Sequence, residues 1–88
     1  MNDPDLIEVV IGDVCWCYDG RVLEIFGAMG QGSTRFHKSN MTVHIGGPNR
    51  KGKRSVEVRN PAAVLLMVEA EDWPRLEPLI QRVQGDIG

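Results

Sequence analysis

Only one segment of the chain, close to the C-terminus, has the hydrophobic period of a helix. Four apolar side chains recur there at positions i, i+3, i+4 and i+7: Leu76, Leu79, Ile80 and Val83. This stripe predicts an amphipathic helix over 73–83, and Glu71 and Asp72 suit its N-terminus, where free N–H groups favour negative charge. A single helix at this end excludes a βαβ architecture, because each parallel crossover needs a helix between two strands.

Two further residues bear on the limits of this helix. Pro78 lies near its second turn, so the helix either begins near Arg75 or is kinked at the proline. Glycine commonly follows the last residue of a helix, and Gly85 therefore predicts where this one ends.

The rest of the chain consists of short segments with β periodicity, separated by turn residues. We predict strands over residues 9–18, 21–26, 33–37, 41–45, 55–59 and 63–69. The best-defined turn is Asp19-Gly20, a two-residue connection that favours a type I′ hairpin and pairs Trp16 with Leu23. Four side chains then share the face suited to a core: Val14, Trp16, Leu23 and Ile25. The two cysteines fall on the opposite face.

These elements predict a mainly β domain of the β-rich α+β kind. We expect a bent antiparallel half-barrel of six or seven strands, capped by one C-terminal α-helix. The 88 residues allow a single domain, with an ordered core over 8–84. Another small barrel, or a sheet with the helix across one face, is the alternative. The predicted core consists of Val14, Trp16, Leu23, Ile25, Phe36, Val56, Val58, Leu66, Leu76, Leu79, Ile80 and Val83.

Charge and hydropathy limit the functional classes. Ten basic and twelve acidic residues give a net charge of −2, which excludes a nucleic-acid binder that uses its whole surface. The longest apolar run, residues 62–68, is far shorter than the ~20 residues of a membrane-spanning helix. Residues 1–5 are acidic and polar, unlike a secretory signal. The chain has 2 cysteines, too few for a disulfide framework, and we predict a cytoplasmic protein with reduced thiols.

The order of the elements resembles that of small bacterial pleckstrin-homology-like domains. The similarity covers residues 8–84: the first hairpin at 17–25, the segment 35–41 leading into a strand at 42–45, then 52–59, 63–68 and the helix at 73–83. The resemblance implies a half-barrel fold and a non-catalytic interaction module that binds a protein or a lipid. The first hairpin loop lacks the basic cluster that phosphoinositide-binding members carry, which favours a protein partner.

Side chains able to bind zinc or copper occur at four positions: Cys15, Cys17, His37 and His44. Structural zinc sites usually separate their cysteines by two to four residues around a turn, whereas this C-x-C lies along a predicted strand. Strand spacing should separate the two sulfurs, and the acidic residues Asp13, Asp19 and Glu24 surround them. We therefore predict reduced thiols and no metal.

The sequence contains no recognisable catalytic constellation. Carboxylates near the cysteines would raise the pKa of a nucleophilic thiol rather than lower it. None of Ser33, Ser39 and Ser55 lies in a G-x-S-x-G segment. The glycines of residues 27–32 follow the order G-x-x-G-x-G, which differs from the dinucleotide-binding order and is best explained as a loop between strands. We predict that the chain is not an enzyme and uses no cofactor.

Four of the ten basic residues occur within five positions: Arg50, Lys51, Lys53 and Arg54. This basic segment, residues 50–54, could bind phosphate, anionic lipid or an acidic protein surface from a flexible loop. Arg35, Lys38 and Arg59 would extend it if their strands adjoin. The alternative is a solvated hairpin tip. Because no exposed aromatic series accompanies the cations, we expect no nucleic acid.

The chain has more apolar residues than one core face needs. Residues 63–68 are apolar on both faces, so Leu65 and Met67 point outward if their neighbours point inward. With Cys15 and Cys17 they form a candidate interface, which predicts a homodimer or a complex with another protein. A small-ligand site is the competing hypothesis.

Overall fold

The structure is a computed structural model that describes residues 6–27 and 32–87. The acidic start of the chain, residues 1–5, and the middle of the glycine-rich connector, residues 28–31, lie outside the described residues. Within the described part the elements are β1 (Ile7–Ile11), β2 (Val14–Tyr18), β3 (Val22–Phe26), β4 (Ser33–His37), a 3-10 helix (Lys38–Asn40), β5 (Thr42–Gly46), β6 (Arg54–Asn60), β7 (Ala62–Val68) and α1 (Trp73–Ile87).

The strands form two antiparallel sheets. Sheet A has the order β1-β2-β3-β4 and sheet B the order β5-β6-β7, so every neighbour in a sheet is also a neighbour in sequence. Among the described residues no strand of one sheet is paired with a strand of the other, and the sheets do not close into a barrel. The predicted mainly β half-barrel with a C-terminal helix is confirmed. At 15 residues α1 is too short and too polar to cross a membrane, and no other described helix could do so.

The core lies where the inner faces of the two sheets meet the apolar stripe of α1. Alternation along each strand turns every second side chain inward, as a half-buried antiparallel sheet requires. Among the predicted core residues only Val14 and Leu66 are half-buried rather than buried, and both lie at the edge of the core. The buried apolar side chains are Trp16, Tyr18, Leu23, Ile25, Phe36, Met41, Val56, Val58, Val64, Val68, Leu76, Leu79, Ile80 and Val83.

The turn between β2 and β3 is wider than the sequence predicts. Trp16 pairs with Ile25 rather than with Leu23, so the predicted register is wrong by two residues. The cause is Asp19, whose Oδ1 accepts hydrogen bonds of 2.8 Å from the backbone N–H groups two and three residues further on. Because side chains alternate with a period of two, the shift leaves the inward face unchanged.

The predicted strand over 9–18 is in fact a hairpin. A Gly12-Asp13 turn separates β1 from β2, and Gly12 has a φ of 59°, a left-handed conformation that favours glycine. The hairpin places Glu8 of β1 directly opposite Cys17 of β2. This pairing brings a carboxylate to the outer face of sheet A beside the thiols.

Helix α1 begins at residue 73, contains Pro78 and continues past Gly85, so the predicted stop at this glycine is wrong. Tertiary contacts hold the last turn: the Tyr18 hydroxyl donates a 2.6 Å hydrogen bond to Asp86, and Ile87 packs against the core. These contacts outweigh the low helix propensity of glycine, which costs about 1 kcal/mol.

Candidate functional site

The basic segment belongs to an ordered turn between β5 and β6. The Asn49 side-chain oxygen accepts hydrogen bonds from the backbone N–H groups of Lys51 and Lys53, each at 2.9 Å. The backbone of Asn49 is also bonded to Lys53 and Gly52 at 2.9 Å. Gly47 has a φ of 90°, and a Cβ there would lie 2.8 Å from the carbonyl oxygen of Lys53. Hydrogen bonds centred on Asn49 therefore fix the loop that the sequence predicts to be flexible.

Two of the four cations are used inside the fold. The Lys53 Nζ forms an ion pair with Glu69 at 3.1 Å, and the Arg54 guanidinium lies over the Trp73 ring, 5.3 Å from its centroid. Both partners belong to the segment that leads from β7 into α1. Lys53 and Arg54, the anchored pair, therefore tie the turn to the helix start.

The other two cations, the free pair Arg50 and Lys51, are exposed. Among the described residues neither side chain has an ion-pair or hydrogen-bond partner. Together with Asn49, Lys53 and Met67 they line an open groove of about 440 Å³. The groove thus joins the basic segment to the apolar strand β7, two features that the sequence identified separately. We call it the β7 groove.

Strand β7 presents apolar side chains to solvent at the edge of sheet B. Leu65 is 61% and Met67 52% exposed, whereas Val64 and Val68 are buried, which confirms the expected alternation. Strand β7 pairs with β6 on one side, and no described strand pairs with its other side. An apolar edge strand with free backbone groups is able to take up a further strand.

The three cations that would extend the basic segment if their strands adjoined it lie elsewhere. Arg59 lies at the far end of β6, about 17 Å along the strand from its first residue, and pairs with Glu57 at 3.1 Å. Arg35 belongs to β4 of sheet A and lies 3.8 Å from Glu24. Lys38 lies in the 3-10 helix that follows β4. None of these three cations therefore extends the basic segment.

The cysteines lie together on the outer face of sheet A. The Sγ atoms of Cys15 and Cys17 are 3.6 Å apart, and the Cys17 Sγ lies 3.7 Å from Oε2 of Glu8. Both thiols are free and half-buried. The ligand atoms of this thiol cluster, Glu8, Cys15 and Cys17, all lie within 4.8 Å of one another. Strand spacing does not separate the sulfurs as expected, because residues i and i+2 project from one face and their side chains lean together.

The thiol cluster is a poor nucleophile. Burial, the neighbouring Cys15 thiol and the Glu8 carboxylate raise the pKa of Cys17 to about 12. At neutral pH its reactive thiolate is scarce. The sequence predicted a raised thiol pKa from other acidic residues, namely Asp13, Asp19 and Glu24. Glu8 could have been named from the Gly12-Asp13 turn, which fixes the β1–β2 register and sets this carboxylate opposite Cys17.

The histidines lie apart from the cysteines. His37 Nδ1 accepts a hydrogen bond from the backbone N–H of Ser39 at 3.2 Å and lies 2.8 Å from its hydroxyl, so this ring caps the 3-10 helix. His44 lines an open groove of about 290 Å³ with residues of β5 and the end of α1. In the part of the chain that the structure describes, neither ring joins the thiol cluster.

The candidate interface residues fall on two surfaces. Leu65 and Met67 belong to the outer face of sheet B, and Cys15 and Cys17 to the outer face of sheet A. A single flat interface cannot contain all four.

Comparison with known proteins finds no matching family model, no matching curated protein and no matching solved structure. The function must therefore be argued from the geometry of these surfaces.

Proposed function

We propose that this chain is a non-catalytic interaction module, a cytoplasmic pleckstrin-homology-like half-barrel that binds an acidic, extended segment of a partner protein along β7. One observation carries the proposal: the unpaired cations of the free pair line the same groove as the exposed Met67 side chain. The element order supports the pleckstrin-homology-like assignment, and the free thiols favour a reducing compartment.

The edge position of β7 supports an extended ligand. A strand added to a free sheet edge gains affinity from main-chain hydrogen bonds, and alternate side chains supply specificity. Leu65 and Met67 offer two outward apolar contacts at that spacing. Removing about 300 Å² of apolar surface from water would contribute roughly 7 kcal/mol before the costs of association.

The charge distribution supports an acidic ligand. The side chains of Arg50 and Lys51 are available to a ligand, because the turn uses Asn49 and backbone groups for its internal hydrogen bonds. The chain as a whole carries a net charge of −2, so the positive potential of the groove contrasts with its surroundings. A carboxylate near the end of the bound segment would meet two unpaired cations.

A second copy of the chain is the other occupant that β7 supports. Self-pairing of this edge would give cross-strand contacts to Leu65 and Met67, the two most exposed large apolar side chains of the described residues. We therefore expect a homodimer at micromolar concentration in the absence of another partner, with antiparallel β7 strands at its centre. Sedimentation equilibrium measures this directly. A monomer, or a dimer that persists in Leu65→Glu, would contradict self-association through β7.

The binding test uses two labelled synthetic peptides, one alternating valine with glutamate and one alternating valine with lysine. We expect fluorescence anisotropy to detect binding of the acidic peptide only, and added salt to weaken it. Replacing both Arg50 and Lys51 by serine should lower the affinity about tenfold, as expected for two exposed charge contacts. Met67→Glu should abolish binding, because it places a carboxylate against the acidic peptide.

The matched control replaces Arg35 and Arg59 by serine, which changes the net charge equally but leaves the β7 groove intact. An equal loss of affinity in this control would mean that the peptide senses only overall charge, and would contradict the proposal. Anionic vesicles of phosphatidylserine and phosphatidylcholine form a second arm. Vesicle binding that depends on the free pair, without peptide binding, would replace the protein ligand by a lipid. If neither probe binds at low salt, the turn is a solvated hairpin tip.

A further inference from the structure

The thiol cluster has the ligands and the spacing of a metal site. We propose that Glu8, Cys15 and Cys17 bind one thiophilic divalent cation of the zinc type on the outer face of sheet A, with a fourth coordination position open to water. This site is separate from the β7 groove, which belongs to sheet B.

Two of the three distances within the cluster are close to those of a tetrahedral zinc site, and the third, from the Cys15 Sγ to the Glu8 carboxylate, is within 4.8 Å. Two sulfurs that each lie about 2.3 Å from a tetrahedral zinc are about 3.8 Å apart, and a sulfur and a carboxylate oxygen about 3.5 Å apart. The Sγ atoms of Cys15 and Cys17 are 3.6 Å apart, and the Cys17 Sγ to Glu8 Oε2 distance is 3.7 Å. Rotation about the side-chain bonds of the exposed Glu8 would bring its carboxylate onto the ion that the two sulfurs share.

The sheet itself holds the three ligands in place. Cys15 and Cys17 share one face of β2, and Glu8 lies directly opposite Cys17 on β1 in the antiparallel ladder. No loop has to fold around the ion, because all three ligands lie on two paired strands. The expectation of no metal rested on separated sulfurs and on the acidic residues around them, and the 3.6 Å distance between the two Sγ atoms removes the first of these premises.

The donor set selects the type of ion. Two thiolates favour zinc and similar thiophilic ions, whereas magnesium and calcium require oxygen ligands. The thiol protons pass to the solvent when the ion binds. The cross-strand neighbours of Cys15 are Val10 and Phe26, which offer no ligand. Water therefore occupies the fourth position, as in zinc sites with three protein ligands.

Glu24 provides a matched control for the role of Glu8. Both carboxylates flank Cys17 in the sheet, on β1 and on β3. Glu24 is instead held by Ser33, which donates a 2.9 Å hydrogen bond to its Oε2, and by Arg35 at 3.8 Å. Glu24→Gln therefore removes a nearby charge without removing a ligand, whereas Glu8→Gln removes a ligand.

The experiment titrates cobalt(II), and then competing zinc, into the full chain kept reduced with a phosphine. We expect one ion per chain, with thiolate-to-cobalt charge-transfer absorption and the visible bands of a tetrahedral ion. Cys15→Ser and Cys17→Ser should each abolish the charge-transfer band. Glu8→Gln should weaken binding at least tenfold, since even outer-shell partners of metal ligands change affinity about 10–100-fold, and Glu24→Gln should leave it unchanged.

Circular dichroism of each variant separates loss of a ligand from loss of fold. Both cysteines are half-buried, so the serine variants should remain folded without metal. The proposal is overturned if the reduced chain binds no cobalt at micromolar concentration, or if binding survives Cys17→Ser. It is also overturned if Glu24→Gln weakens binding as much as Glu8→Gln, or if one ion is shared between two chains.

Discussion

The two faces of β2 differ in what their side chains contact. On the inner face Trp16 and Tyr18 are 1% and 0% exposed and pack against residues of both sheets and the helix. On the outer face Cys15 and Cys17 are half-buried and contact each other and Glu8. One five-residue strand thus contributes a large part of the core on one side and a compact polar cluster on the other.

The fold requires the inward side chains of β2, whereas it only tolerates the outward ones. An inward side chain is fixed by the space around it, because a close-packed core has few voids. An outward pair of thiols is not required by the core, and the strand would form equally well with threonine or valine at these positions. The core therefore does not determine the two cysteines and the facing glutamate, and the metal site proposed above would give them a role.

The largest effect is expected on the inner face. Trp16→Ala should lower the free energy of unfolding by about 3–5 kcal/mol, because it leaves a large cavity. A chain of 88 residues has a total stability of roughly 4–13 kcal/mol, so this variant is close to unfolding and Trp16→Phe provides a milder test. The measurement is urea denaturation followed by circular dichroism. Val10→Ala, on the outer face of sheet A, should change the unfolding free energy by less than about 0.5 kcal/mol. Similar losses of unfolding free energy for Trp16→Phe and Val10→Ala would contradict the claim that the inner face contributes more to stability than the outer face.

The second effect concerns the hydrogen bond between Tyr18 and Asp86, which joins the inner face of β2 to the end of α1. Tyr18→Phe should cost about 1 kcal/mol of unfolding free energy. Burial and the hydrogen bond to Asp86 raise the pKa of Tyr18 above its ordinary value of 10.0. This stabilisation is therefore fully present below the unfolded pKa and is lost as the pH rises through the higher folded value.

Absorbance of the phenolate tests this directly, since the chain contains 1 tyrosine. The titration of the folded chain should lie at higher pH than that of the same chain unfolded in urea. Coincident curves would mean that Tyr18 is neither buried nor bonded to the helix.

Much of the fold could be predicted because hydrophobic alternation determines which face of each strand is buried. The β2–β3 register was wrong by two residues, yet Trp16 and Leu23 remain inward, since an even shift preserves the face. The start of α1 at residue 73 agrees with the predicted helix, whereas its C-terminal end could not be predicted from local preference. That end depends on tertiary contacts of Asp86 and Ile87 that only the assembled fold supplies.

The sequence identified the residues of the candidate sites, but not how the fold brings them together. The sequence singled out the basic segment and the outward residues of β7, but their meeting in one groove depends on the turn geometry around Asn49. It did not reveal that two of the four cations in the basic segment contact Glu69 and the Trp73 ring. Such pairings join residues that are distant in sequence, and local patterns do not encode them.

A third, smaller effect is expected for the outer face of β2. Replacing Cys15 and Cys17 together by serine should lower the unfolding free energy by less than about 1 kcal/mol in the presence of a metal chelator. The reason is that both thiols are only half-buried and neither fills space in the core. Urea denaturation of the double variant and of Trp16→Phe compares the loss of unfolding free energy on the outer face with the loss on the inner face. A loss as large as that of the tryptophan variant would show that the outer face is also part of the core.

The smallest effect is expected for the free pair of the basic segment. In this segment too, side chains that contact the rest of the fold lie next to side chains that do not. Replacing the free pair, Arg50 and Lys51, by serine should leave the melting temperature unchanged, because neither side chain has a partner among the described residues. Replacing the anchored pair, Lys53 and Arg54, should cost up to about 2 kcal/mol, the summed value of an exposed ion pair and an exposed cation–π contact. Both variants lose two positive charges, so each is the control for the other in a thermal melt at fixed salt. Equal melting temperatures would mean that the anchored pair adds nothing to stability, whereas a loss confined to the free pair would reverse the assignment of the two pairs.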